Sequence, residues 1–186
     1  MALLGKGCVI WFTGLSGAGK TTIADAVTKK LRADDMPVYE LDGDVIRTGL
    51  CKDLGFTAED RDENVRRATE VARLFADCGV ICICAFISPF KQTRDMAREI
   101  IGPDRFFEVH VSTSLEVCER RDTKGLYKKA RAGEIPNFTG ISSPYEPPDN
   151  ADVTIDTETT PLEESIPSLI EILSRQGIVP SRPSTT

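Results

Sequence analysis

The sequence predicts an α/β fold: a five-stranded parallel sheet with helices on both faces and a lid segment. Two observations predict it. Runs rich in β-branched and aromatic residues alternate with stretches of helical spacing, a pattern that builds a parallel sheet covered on both sides. The first of these runs also opens into a glycine-rich stretch, GLSGAGKTT at residues 14–22, which leads into a helical pattern. With 186 residues, one domain spanning 1–186 is the default, large enough to bury a core without disulfide or metal staples.

The elements follow in order. Strand-like runs are read at Cys8–Thr13 (CVIWFT), Pro37–Leu41, Val80–Ile87, Phe106–Val111 and Ala151–Ile155. Helical patterns lie between and after them at Thr21–Arg32, Arg61–Cys78, Thr93–Ile101, Leu115–Arg121 and near Pro161–Gln176. In such sheets ligands sit beyond the carboxyl ends of the strands. The places to look are therefore Thr13–Thr22, Asp42–Arg47, Ser88–Phe90 and the segments after Val111 and Ile155. One segment breaks the alternation: Arg120–Asn150 is rich in Lys, Arg, Gly and Pro. Long segments of that kind are functional or disordered. Its mixture of aromatics and charges reads as a lid over phosphates, helical around Leu126–Ala132. The tail from Val179 to Thr186, VPSRPSTT, reads as frayed.

Gly14, Gly19, Lys20 and Thr21 fit G-x-x-x-x-G-K-[ST], the phosphate-binding loop. Its glycines let the backbone curl with N–H groups pointing inward, and the following helix adds its positive N-terminal end. Lys20 supplies a cation for the β- and γ-phosphates, and the Thr21 hydroxyl can ligate Mg²⁺. A chance glycine-rich turn is the plain alternative. The strand before and the helix after it argue for a nucleoside triphosphate site and a P-loop NTPase fold.

Composition excludes several classes. The apolar fraction is 40%, the charged fraction 28%, the net charge −6 and the isoelectric point about 4.9. A broad nucleic-acid surface is not expected at that charge. The longest apolar stretch, around residues 79–87, is far short of a membrane span, and MALLGKGC lacks the basic start of a signal sequence. The six cysteines form no C-x-x-C pair, and the lone His110 completes no zinc site of usual spacing. Cys82 and Cys84 share one face of a strand as small apolar residues. A cytoplasmic protein is expected.

The acceptor side is read from the second strand onward. DGD at residues 42–44 places Asp42 and Asp44 near the triphosphate, where two carboxylates suit metal positioning and activation of a hydroxyl. A turn with solvated aspartates is the alternative. The third strand run ends in FISPF rather than in an acidic residue, and no N-K-x-D follows, which disfavours motor ATPases and GTPase switches. Arg61 and Asn64 share a helix face, and Arg47 follows DGD, so Arg47, Arg61 and a lid lysine could hold an acceptor bearing phosphate or sulfate. Arg66 and Arg67 fit a solvated face at least as well. Phe56 and Phe138 are placed to clamp a flat base, or else are core residues; spacing alone leaves both open.

WFTGLSGAGKTT, DGDVIRTGL, LGFTAEDRDENVRR, FISPF and KGLYKKARAGEIPNFTGISSPYEPP together resemble the adenylyl-sulfate kinases, over Cys8 to Ile155. The resemblance implies transfer of the γ-phosphate of MgATP to the ribose 3′-OH of adenosine 5′-phosphosulfate, in sulfate activation. It implies that Gly14, Leu15, Ser16, Gly17, Ala18, Gly19, Lys20, Thr21 and Thr22 bind ATP and Mg²⁺, with Thr21 and Asp42 at the metal. Asp44 is the expected base. Arg47, Arg61, Asn64, Ile87, Ser88, Lys124 and Asn137 would line the acceptor, with Phe56 and Phe138 stacking on its adenine. Arg120 and Thr160 are the expected contacts to the ATP base. The family's matching serine is described as a phosphoserine intermediate. Direct in-line transfer needs no covalent stop, and no histidine is available as a base, so a lining role is expected for Ser88. A homodimer and an ATP sulfurylase partner, fused or separate, are also implied.

Two departures stand out. Val45 follows DGD where the family often has Asn, and only seven residues precede Cys8. The chain is read as a naturally short form or a piece of a fusion with ATP sulfurylase. Two rivals compete: another small-alcohol P-loop kinase, for shikimate or gluconate, and a non-catalytic nucleotide-binding module of an ATP sulfurylase. The first does not need Phe56, Phe138 and NFTGISSPYE; the second would have an eroded phosphate loop.

Overall fold

The computed structural model describes residues 7–179 of the chain. Five strands, β1 (Cys8–Thr13), β2 (Val38–Asp42), β3 (Ile81–Ala85), β4 (Phe106–Val111) and β5 (Val153–Ile155), form one parallel sheet in the order β2-β3-β1-β4-β5. Every residue of β1 and β3 is buried, as expected of strands covered on both faces.

Alternation along β1 sorts the core into two halves. Cys8, Ile10 and Phe12 face α1 (Lys20–Ala33) and α7 (Leu162–Arg175), meeting Ile23, Val27, Leu31, Leu169 and Leu173. Val9 and Trp11 face α3 (Ala58–Asp77) and α4 (Lys91–Ile101), meeting Val65, Ala68, Ala72, Ala97 and Ile101. The expected five-stranded parallel sheet with helices on both faces is what forms.

The differences from the sequence reading have local causes. β3 ends at Ala85 rather than Ile87: Phe86 N–H still bonds to the Phe12 carbonyl, but the chain then turns at Ser88, which takes a left-handed φ of 38°. α3 begins at Ala58, three residues early, because Thr57 caps it by accepting from the Asp60 amide at 3.1 Å. A four-residue helix that periodicity cannot reveal, α2 (Gly43–Ile46), starts on Asp42. Cys82 and Cys84 share one buried face as read, their sulfurs 3.8 Å apart.

Between α5 (Leu115–Arg121) and β5 lies the expected lid, with α6 (Leu126–Arg131) inside it. This segment is docked. Tyr127, Ala130 and Phe138 belong to the α1-side core, and the Tyr127 hydroxyl donates to the Ser16 carbonyl at 2.9 Å. Val179 is also buried there, so the frayed tail does not start at that residue; the rest of it, and the leader MALLGK, lie outside the described residues.

Candidate active site

The loop from Gly14 to Gly19 joins β1 to α1 and curls because its glycines permit it. Gly14, Gly17 and Gly19 have φ of 149°, 75° and 109°. At Gly14 a Cβ would lie 2.5 Å from the Val111 carbonyl oxygen, so no side chain fits there. Two hydroxyls fix the outer wall: Thr113 and Thr157 both reach the Ala18 carbonyl, at 3.0 and 2.9 Å. Arg121 donates to the Thr157 Oγ1 and carbonyl at 2.7 and 2.9 Å. Both threonines follow strand carboxyl ends that topology singles out; Thr113 itself was not read from the sequence.

Lys20 opens α1 and folds back over the loop. Its Nζ donates to the Gly14 and Leu15 carbonyls at 2.9 and 2.7 Å, and the residue is only 8% exposed. Burial pulls its pKa down from 10.5 to about 8, with the nearby Lys124 charge pulling the same way. A buried cation whose hydrogen bonds, among the described residues, go to neutral carbonyls is poised for an anion.

Beside it, Thr21 Oγ1 donates to Asp42 Oδ2 at 3.1 Å. Asp42 ends β2 and caps α2, accepting from the Asp44 amide at 2.8 Å through Oδ1. The DGD sequence is thus a strand end that turns into a helix start, which sets its two carboxylates at different tasks. Asp42 is tied to the loop threonine. Asp44 is exposed and ion-paired to Lys124 of the lid. One hydroxyl and one carboxylate at the loop mouth suit Mg²⁺, which is held by few protein ligands together with substrate phosphates and water.

Opposite lie Arg47, Arg61 and the two phenylalanines. Arg61 spreads its fork over two loops: Nε to the Phe56 carbonyl at 3.0 Å, Nη2 to the Asn137 carbonyl at 2.6 Å and Nη1 to Thr139 Oγ1 at 2.8 Å. Arg47 donates to the Gly55 carbonyl at 2.9 Å and lies 4.5 Å above the Phe56 ring. Among the described residues no carboxylate forms an ion pair with Arg47 or Arg61. Burial, then the Arg47 charge, lowers the Arg61 pKa. Two adjacent guanidiniums without a counter-ion make a locally positive site on an acidic protein. Arg66 and Arg67 instead pair with Glu63 on the helix surface, and Arg67 with Asp53 as well.

The two phenylalanines differ. Phe56 is 60% exposed, whereas Phe138 is 8% exposed and packs edge-on against Tyr127 at 5.0 Å. Of the two places that spacing left open, Phe138 lies in the core and Phe56 at the surface. Asn64 is 5% exposed, and its amide nitrogen has no hydrogen-bond partner among the described residues. Unpaired buried donors cost about 1–3 kcal/mol, so this one awaits a partner. Ser88 is buried, its Oγ accepting from Trp11 Nε1 at 3.1 Å, and the Ile87 carbonyl accepts from Thr13 Oγ1 at 2.8 Å. Val45, the departure after DGD, is exposed and offers only its backbone, whose amide reaches Asp42 at 3.4 Å. Arg120 lies 3.7 Å from Glu158, near Thr160, whose amide bonds the Asp156 carbonyl.

A glycine-rich nest with its lysine, a Thr–Asp pair at its mouth and two adjacent guanidiniums on the segments between β2 and β3 define a P-loop phosphotransferase. More particularly, the chain belongs to the adenylylsulphate kinase family, whose model matches residues 6–156. It is 55% identical to the adenylyl-sulfate kinase of Halothermothrix orenii over 174 residues, 94% of this chain and 93% of that protein. The Mycobacterium tuberculosis APS kinase CysC, solved in complex with AMPPNP and APS, superposes with a TM-score of 0.87 at 47% identity. That match covers 91% of this chain and 99% of that one. A hexameric APS kinase from Thiobacillus denitrificans matches with a TM-score of 0.72 at 32% identity, over 95% of this chain and 30% of that one.

Proposed function

We propose that the chain is an adenylyl-sulfate kinase, transferring the γ-phosphate of MgATP to the ribose 3′-OH of adenosine 5′-phosphosulfate. The products are 3′-phosphoadenosine 5′-phosphosulfate and ADP. The observation that carries this reading is the Arg61 fork, which joins the Phe56 and Phe138 loops beside a second guanidinium that, among the described residues, also has no carboxylate partner. A flat base next to an oxyanion is the ligand such a pocket suits.

In this reading residues Gly14 to Thr22 wrap the triphosphate, and Lys20 leaves the Gly14 and Leu15 carbonyls for the phosphates. Thr21 and Asp42 would hold Mg²⁺, and the ion would supply charge neutralisation at the phosphates. Asp44 takes the proton of the 3′-OH while Lys124 orients its carboxylate. Asn64 spends its free amide on the acceptor, and Arg47, Ile87, Ser88 and Asn137 line the same pocket. Arg120 and Thr160 flank the ATP base. A homodimer, an ATP sulfurylase partner and a cytoplasmic setting complete the proposal; no helix among the described residues is long and apolar enough to cross a membrane. An ADP-release assay with MgATP tests the whole, run against adenylyl sulfate, AMP, shikimate and gluconate. Turnover is expected with adenylyl sulfate, and a preference for any of the other acceptors would overturn the assignment.

Ser88 separates two chemistries. Its Oγ is buried beneath Trp11 and lines the pocket in this proposal, so Ser88→Ala is expected to lose about five- to thirty-fold in turnover, the equivalent of roughly 1–2 kcal/mol. The melting temperature should fall too, because the Trp11 indole N–H loses its acceptor. A dead but folded variant, or labelled phosphate trapped on the wild-type serine, would demand a covalent step.

The phenylalanines now give unequal expectations. Phe56→Ala removes an exposed ring, so it is expected to weaken adenylyl-sulfate binding about five- to 150-fold without changing the melting temperature, from the roughly 1–3 kcal/mol of base–aromatic stacking. Phe138→Ala opens the core beside Tyr127 and is expected to cost about 3–5 kcal/mol of stability. Titration calorimetry with each nucleotide, beside melting curves, reads both. Unchanged acceptor affinity in Phe56→Ala would end the stacking role.

A further inference from the structure

Arg94 lies on α4 and is 3% exposed, yet it belongs to none of the groups assigned above to substrate. Its Nη1 donates to the Ser88 carbonyl at 2.8 Å, and its Nη2 to the Glu146 carbonyl at 2.7 Å. Its Nε lies 2.9 Å from Glu108 Oε1 on β4, a pair in which both side chains are buried. The guanidinium also sits 6.0 Å from the Tyr145 ring. Tyr145 reaches Thr13 Oγ1 at 3.0 Å, at the end of β1; because Thr13 gives its proton to the Ile87 carbonyl, Tyr145 is the donor there.

One side chain thus touches three separate segments. Ser88 is the one that needs holding. Its φ of 38° is a conformation that L-residues other than glycine, asparagine and aspartate rarely adopt. Glu146 is the exit of the lid, and its amide bonds back to the Pro89 carbonyl at 2.8 Å. The two carbonyl bonds, made while Nε stays beside Glu108, need a planar fork with hydrogens in fixed directions, which arginine has and lysine lacks. Glu108 keeps the charge tolerable: it faces Arg94 and, at 3.5 Å, Arg98, which also pairs with Asp152.

We propose that Arg94 is a positioning residue of the transfer reaction: its fork holds Ser88 in the left-handed conformation and ties the lid exit at Tyr145–Glu146 to the acceptor wall. This rests on the reading of Ile87 and Ser88 as that wall. A buried ion pair alone would be a matter of stability. The proposal instead requires an effect confined to one substrate.

Arg94→Lys tests it, because an ammonium keeps a counter-charge for Glu108 but cannot span both carbonyls. Steady-state kinetics on the full chain are expected to show the KM for adenylyl sulfate raised about tenfold or more, with the KM for ATP within about twofold of wild type. Adding Ser88→Gly gives a double-mutant cycle. Glycine adopts positive φ without cost, so Arg94→Lys should cost the acceptor at least about threefold less in that background than beside Ser88. If Arg94→Lys fails to fold, the charge-neutral pair Arg94→Met with Glu108→Gln takes its place, and the same split is expected. Equal rises in both KM values, an unchanged acceptor KM in a folded variant, or no coupling to Ser88→Gly would each overturn the inference. A wild-type chain inert toward adenylyl sulfate would sink the proposed function itself. An active wild type with an indifferent Arg94→Lys variant would sink this inference alone.

Discussion

Lys20→Ala is expected to fold normally and to lose at least about 10²–10³-fold in turnover, because charge developing on the β–γ bridge loses its nearest cation. The fold should tolerate the change. Lys20 is buried and charged, and among the described residues it bonds to the Gly14 and Leu15 carbonyls alone, so truncation removes a desolvated ion rather than a packing element. The same environment predicts a pH dependence with opposite signs for stability and binding. The folded pKa is about 8 against an ordinary 10.5, so between those values the unfolded chain binds more protons than the native one. Stability therefore gains as pH rises through that window. Nucleotide affinity moves the other way: the triphosphate needs the protonated lysine, and above pH 8 binding must take up a proton. Affinity for ATP should fall by up to about tenfold per pH unit there. Calorimetry in buffers of different ionisation enthalpy counts that proton. A Lys20→Ala variant with near-wild-type turnover, or ATP binding flat from pH 7 to about 9.5, would remove Lys20 from the phosphate site.

Asp44→Asn should lower turnover about 10²–10⁴-fold, the range of a general base removed without a change of shape. The structure explains why Asp44 and not Asp42 is expected to show this loss. Asp42 uses one oxygen at the start of α2 and the other on Thr21, whereas Asp44 is exposed and, among the described residues, ion-pairs with Lys124 alone. Asp42→Asn still caps the helix, since asparagine serves that position as well as aspartate. Its effect should therefore appear as a raised Mg²⁺ requirement. A metal titration of turnover for both variants decides. If Asp44→Asn shifts only the Mg²⁺ dependence and Asp42→Asn abolishes turnover at saturating metal, the two roles are exchanged.

Much of the site follows from spacing along the chain. G-x-x-x-x-G-K-T after a buried strand forces a backbone nest at a helix N-terminus, and that chemistry is local. The DGD carboxylates were legible as a pair near the loop, because strand carboxyl ends converge in a parallel sheet. Their division of labour was not legible, since it depends on α2 starting at Asp42 and on Lys124 arriving from 80 residues away. Phe56 and Phe138 show the same limit. Both are single aromatics in loop sequence, and only docking of the lid on the α1-side core buries one and leaves the other at the surface.

By itself, then, the sequence determined the sheet, its covering helices and the phosphate loop, because these depend on hydrophobic period and on residues within a few positions of one another. The tertiary structure decided which side chains share a neighbour at long range. Arg61 is joined through its own hydrogen bonds to the Phe56 loop beside it and to the Asn137–Thr139 loop 76 to 78 residues away, a link that spacing does not reveal. Arg94 gave no sign at all, being one more cation on a helical run. A buried charge is set by what surrounds it in space: Glu108 opposite, and the carbonyls of Ser88 and Glu146 within reach of one fork.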